Sequence, residues 1–184
     1  MSTVRPAAPA ALSPRAWGAL LVLCSALFLD ALDVSMVGVA LPSIGSDLSM
    51  GPSQLQWIVS AYVLGYGGFL LLGGRAADLL GRRRMFLISL AVFAVASGLG
   101  AFVDDGSLLV ALRFIKGVSA AFTAPAGLSI ITTSFAEGAA RNRAISIYTA
   151  TGATGFSLSL VFGGVLTELG WRWVFFVPDP IAQV

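Results

Sequence analysis

Four charged residues sit where charge is least welcome. Asp30 and Asp33 lie three apart in one long apolar run, and Arg113 and Lys116 lie three apart in another. That spacing puts each pair on one face of a helix. Inside a membrane each such charge costs about 2.5–3.5 kcal/mol on insertion scales, so it needs a partner or a role. Two readings suit two carboxylates facing two cations. One is charge neutralisation that lets the helices pack. The other is a proton or substrate site facing a water-filled cavity, where a carboxylate loads and releases a proton as the nearby cation moves. The remaining inventory is poor in enzyme chemistry. The chain has no histidine and one cysteine, Cys24, which removes imidazole metal ligands, His-based relays and an internal disulfide. Cys24 reads as a small apolar packing residue. No nucleophile–base constellation or metal cluster is visible, so neither a cofactor nor an enzyme is expected.

The elements that must hold these charges are membrane helices. The 184 residues are 57% hydrophobic and 11% charged, with a mean hydropathy of +0.90. A soluble domain carries about 25% charged residues. An all-α, polytopic transmembrane bundle is therefore expected. The pattern predicts a disordered cytoplasmic tail over 1–16 and a bundle over 17–172. Its five helices fall at about 17–41, 55–72, 85–103, 108–133 and 145–166, and a sixth begins over 173–184. The run from Trp17 is too long and too acidic for a signal-peptide core of about 7–15 residues. Pro42, Ser43, Gly45 and Asp47 predict a loop after it, and Trp57 and Tyr62 predict interfacial anchors near the outer end of helix 2. The last run stops about a dozen residues after Trp173, too few to span a bilayer.

The cations set the orientation. Arg5 and Arg15 precede helix 1, Arg75 and Arg82 to Arg84 follow helix 2, and Arg141 and Arg143 follow helix 4. Arg172 alone falls on the other side. This excess places the N-terminus in the cytoplasm of a multi-pass protein of the cell membrane. The net charge of +2 and a pI near 9 arise from these loop arginines, not from a nucleic-acid footprint. Depth can then be reckoned at about 1.5 Å per residue. Asp30 and Asp33 lie roughly 20 and 24 Å above the inner edge, Lys116 and Arg113 roughly 18 and 22 Å. Two rungs are expected, Asp33 with Arg113 and Asp30 with Lys116.

Between helices 2 and 3 lies Gly73-Gly74-Arg75-Ala76-Ala77-Asp78-Leu79-Leu80-Gly81-Arg82-Arg83-Arg84. By itself it marks a cytoplasmic turn, with glycines allowing a sharp bend. Its register of Gly74, Asp78, Gly81, Arg82 and Arg83 resembles the loop G-x-L-A-D-R-x-G-R-[RK] of the major facilitator superfamily. Other stretches extend the likeness over nearly the whole chain. Leu32-Asp33-Val34-Ser35-Met36-Val37-Gly38-Val39-Ala40-Leu41-Pro42 is similar to the helix 1 motif of the fourteen-helix drug:proton antiporter branch, with Ser35 and Gly38 replacing Thr and Asn. Leu55-Gln56-Trp57 with Ala61-Tyr62 resembles that branch's helix 2. Arg113 and Gly117 match its helix 4 motif R-x-x-Q-G, with Lys116 in place of Gln. Trp171-Arg172-Trp173-Val174-Phe175-Phe176 resembles the opening of helix 6, although the N-x-P that usually follows is broken. In helix 5, Gly152, Gly155, Gly163 and Gly164 echo G-x-x-x-G-P-x-x-G-G, but Ser159-Leu160 stands at the Gly-Pro place. These glycines also read as a plain packing face.

The resemblance implies the N-terminal half of a major facilitator fold and proton-coupled efflux of drug-like or metabolite small molecules. Asp30, Asp33, Arg113 and Lys116 would lie on the proton or substrate pathway, with Lys116 able to alter substrate charge preference. Asp78 and Arg82 would latch the two halves of the transporter. The implied partners are the bilayer, a small-molecule substrate, protons, and a C-terminal half or second chain. A non-transporting membrane interaction protein, or a half-transporter needing a second chain, is the alternative.

Overall fold

The computed structural model describes residues 14–176. The predicted tail lies outside them up to residue 13, and so do residues 177–184 of the sixth run. Five long helices follow one another: α1 (Pro14–Asp47), α2 (Pro52–Leu80), α3 (Arg82–Ala101), α4 (Gly106–Ser134) and α5 (Ala139–Leu169). A single turn, α6 (Trp173–Phe176), closes the described chain. All five long helices are long and apolar enough to cross a membrane. The chain is a multi-pass membrane protein, helical throughout its described secondary structure.

The helices run further than the apolar runs that announced them. α1 continues to Asp47 with Pro42 inside it, so the loop expected from Pro42 is helix. Proline there withdraws one amide donor from the helix ladder. Packing outweighs that loss: Ala40 and Ile44 are fully buried among Val37, Ile58, Leu109 and Trp171. α2 likewise runs through most of the basic knot. Ala77 is buried against Phe86 and the other apolar residues at that end, and the break comes only at Gly81, whose φ of 95° suits glycine. The sharp turn is thus one residue, with Gly74, Arg75 and Asp78 on the helix before it. α4 begins after Asp105, whose carboxylate accepts from the amides of Ser107 at 2.7 Å and Leu108 at 3.0 Å. This is an N-cap that satisfies otherwise orphaned donors.

Helix α1 packs along α5, α2 along α4, and α3 leans on the far side of α4. Small residues make the α2–α4 approach close. A Cβ on Gly117 would lie 2.1 Å from the Tyr62 carbonyl oxygen, and one on Gly65 would lie 2.5 Å from that of Phe114. Two apolar cores result. One gathers Leu29, Leu32, Met36, Ile58, Leu109 and Phe175; the other gathers Leu20, Leu23, Cys24, Phe86, Ala126 and Ile131. The charged residues lie in the layer between them.

Candidate functional site

Asp33 is the centre of that layer and is wholly buried. One carboxylate oxygen accepts from a terminal guanidinium nitrogen of Arg113, the other from Lys116 Nζ. Arg113 and Lys116 are themselves 1% and 0% exposed. Both cations therefore converge on one acid, where the sequence led us to expect two separate rungs. The reason lies in the helix faces: positions 113 and 116, one turn apart on α4, both meet α1 at Asp33. Arg113 Nε also donates to the Ile58 carbonyl at 3.3 Å.

Asp30, one turn away and half-buried, takes a different partner. The Tyr62 hydroxyl donates to its Oδ1 at 2.5 Å. Tyr62 is not an interfacial anchor but a buried residue, 5% exposed. Because α2 starts at Pro52, Tyr62 lies ten residues along it, about 15 Å deep at about 1.5 Å per residue. Starting α2 at Pro52 rather than Leu55 would have set Tyr62 about 4.5 Å deeper, without naming its partner. The Arg113 guanidinium carbon stands 4.5 Å from the Tyr62 ring centroid, so one side chain touches both an acid and a cation. Tyr66 stacks beside Tyr62, centroids 6.5 Å apart.

Lys116 is wholly buried within the described bundle. Its Nζ lies 4.6 Å from the Phe93 ring and 5.2 Å from the Phe175 ring, two faces that attract a desolvated cation. Its charge is met by the Asp33 carboxylate. Nothing in the sequence pattern announced Phe93 or Phe175 as its partners, because they come from α3 and α6. Beside this layer, Thr123 Oγ1 donates to Ser89 Oγ at 2.9 Å, and the Ser119 hydroxyl bonds the Ser89 carbonyl.

The other predicted residues lie elsewhere. Asp78 and Arg82 bridge Gly81 with a 3.4 Å ion pair, half or more exposed on the acid side, and Gly74, Gly81 and Arg83 share that rim. At the opposite end Arg172 contacts Asp47 at 2.9 Å and Asp104 at 2.5 Å, and Trp171 Nε1 donates to Asp47 at 2.9 Å. On α5, a Cβ on Gly155 would meet Phe28 of α1 at 2.9 Å, and Gly152 and Gly163 face Leu27 and Met36. Gly164 faces open space. Three of the four glycines are thus a packing face against α1.

Residues 23–182 match the family model of the Major Facilitator Superfamily, and the chain belongs to that superfamily. Over 170 residues it is 44% identical to the puromycin resistance protein of Streptomyces alboniger, covering 92% of this chain and 34% of that one. It is 46% identical to the cephamycin export protein of Amycolatopsis lactamdurans, over 89% of this chain and 34% of that one. The multidrug efflux pump LfrA of Mycolicibacterium smegmatis is 40% identical over 91% of this chain. The chain spans about a third of the length of these curated relatives. Among solved structures, a bacterial homologue of the human lysosomal transporter Spinster, inward-facing and occupied, superposes with a TM-score of 0.79 at 20% identity. That match covers 94% of this chain and 44% of that one, and shows the shared fold.

Proposed function

We propose that this chain is the charge-bearing N-terminal part of a proton-coupled exporter of drug-like or metabolite small molecules. The observation that carries the reading is the sealed set of Asp33, Arg113 and Lys116 beside a half-buried Asp30 held by Tyr62. Buried ionisable residues in membrane segments mark proton or substrate paths, and relatives named for drug resistance and export support the substrate class. Asp30 is the group open to proton exchange. Asp33 and Arg113 form the joint between α1 and α4 that moves when the proton state changes. The rim of Asp78, Arg82 and Arg83 faces the cytoplasm of a cell membrane and latches to the remainder of the transporter. Alternating access rocks one bundle against another, so the remainder is a C-terminal half or a second chain.

The test is efflux of a drug-like dye from cells lacking their own pumps, with a protonophore as the control. Gradient-dependent efflux that falls on Asp30→Asn supports the reading. Efflux untouched by both the protonophore and Asp30→Asn would sink it. One observation favours the second reading, a half-transporter or a membrane interaction protein. α2 and α5 are little covered, with Leu71 88% and Val161 67% exposed. Those faces suit helices of another unit, and co-purification of a second membrane chain without efflux would select it.

A further inference from the structure

Beside Asp30 lies a small cavity of about 10 Å³ lined by Ala26, Asp30, Leu90, Phe93, Ala120 and Thr123. Two of those residues are polar and four are not. The volume is near the roughly 10–15 Å³ that one water needs, provided it finds two or more polar partners. The hydrogen-bond pattern supplies them. Tyr62 occupies Oδ1 of Asp30, and no described side chain donates to Oδ2. The Thr123 hydroxyl spends its hydrogen on Ser89 Oγ or on the Ser119 carbonyl, which leaves its oxygen free to accept. Two residues with acceptor capacity to spare border one small cavity, which suits a ligand with two donors and little bulk. A solute larger than water does not fit so small a space.

We infer that this cavity is the seat of one bound water, which donates one hydrogen to the Asp30 carboxylate and the other to Thr123 Oγ1. The water joins the acid on α1 to hydroxyls on α4 and α3, since Thr123 bonds Ser89 in turn. Asp30 is then held from two sides, by Tyr62 of α2 and, through water, by Thr123. Thr123 is a positioning residue for the carboxylate. The inference concerns bound solvent only and stands whatever the chain transports.

X-ray hydroxyl-radical footprinting of the purified protein reads it directly, because radicals born on bound water label the side chains beside it. Phe93 borders the cavity and Phe175 does not, although both are buried and both flank Lys116. Phe93 is expected to label well above Phe175. Thr123→Val, which removes the acceptor at nearly constant shape, is expected to abolish the excess. Ala120→Val fills the cavity while keeping the Thr123 bonds, and is expected to do the same. Equal labelling of the two phenylalanines in the unaltered protein overturns the water site. Excess labelling that survives both variants overturns the assignment to this cavity and to Thr123.

Discussion

Replacing Asp33 by Asn should be the most damaging conservative change in the bundle, and the structure says why. Asp33 is the shared partner of two cations, and all three side chains are at most 2% exposed. The substitution keeps shape but leaves Arg113 and Lys116 buried together without their counter-charge. Removing one partner of a buried ion pair costs about 3–5 kcal/mol. For a chain of this size, each kcal/mol shifts the melting temperature by about 2–4 °C. The expected drop is therefore about 6–20 °C, read by thermal unfolding in detergent. Lys116→Met should behave oppositely. It deletes the surplus cation, keeps the Arg113–Asp33 pair, and leaves an apolar stem between Phe93 and Phe175. Its melting temperature should stay within about 4 °C of the parent, a change of about 1 kcal/mol. The double variant should recover part of the Asp33→Asn loss, because one unpaired cation is easier to bury than two. Refutation is simple: if Lys116→Met costs as much as Asp33→Asn, or the double variant is no better than Asp33→Asn, the two cations do not share the acid.

Three further outcomes follow from the same geometry. Gly117→Ala drives a Cβ to 2.1 Å from the Tyr62 carbonyl oxygen, whereas Gly164→Ala meets nothing within 4 Å. Overpacking costs about 1–3 kcal/mol, so only the former should lower the melting temperature. Tyr62→Phe removes the bond to Asp30 but keeps the ring beneath Arg113. It should cost about 1.5–3 kcal/mol, as for a hydrogen bond to a charged group, and should weaken gradient-driven efflux while Tyr66→Phe changes it little. Finally, Arg84→Cys should react with an impermeant thiol reagent only from the cytoplasmic side and Ser107→Cys only from outside. Cys24 is buried and gives little background. The opposite labelling would reverse the orientation.

The sequence by itself determined the solvent, the helix count and the identity of the rare charges. Apolar runs of spanning length admit one backbone solution in lipid, since every amide must bond within its own helix. Asp30, Asp33, Arg113 and Lys116 stood out for the same reason: charge in such runs is costly. Spacing also placed each pair on one face. Tertiary structure decided who meets whom. α1 outlasts Leu41 and α2 enters the arginine knot because Ile44 and Ala77 find buried seats that local composition does not encode. Tyr62 joined the site because α2 begins earlier than its apolar run. Lys116 shares Asp33, and is walled by Phe93 and Phe175, because three other helices converge on that face of α4. Helix periodicity fixes directions along one element, whereas ion pairing depends on the approach of several; Gly65 and Gly117 set only the approach of α2 to α4.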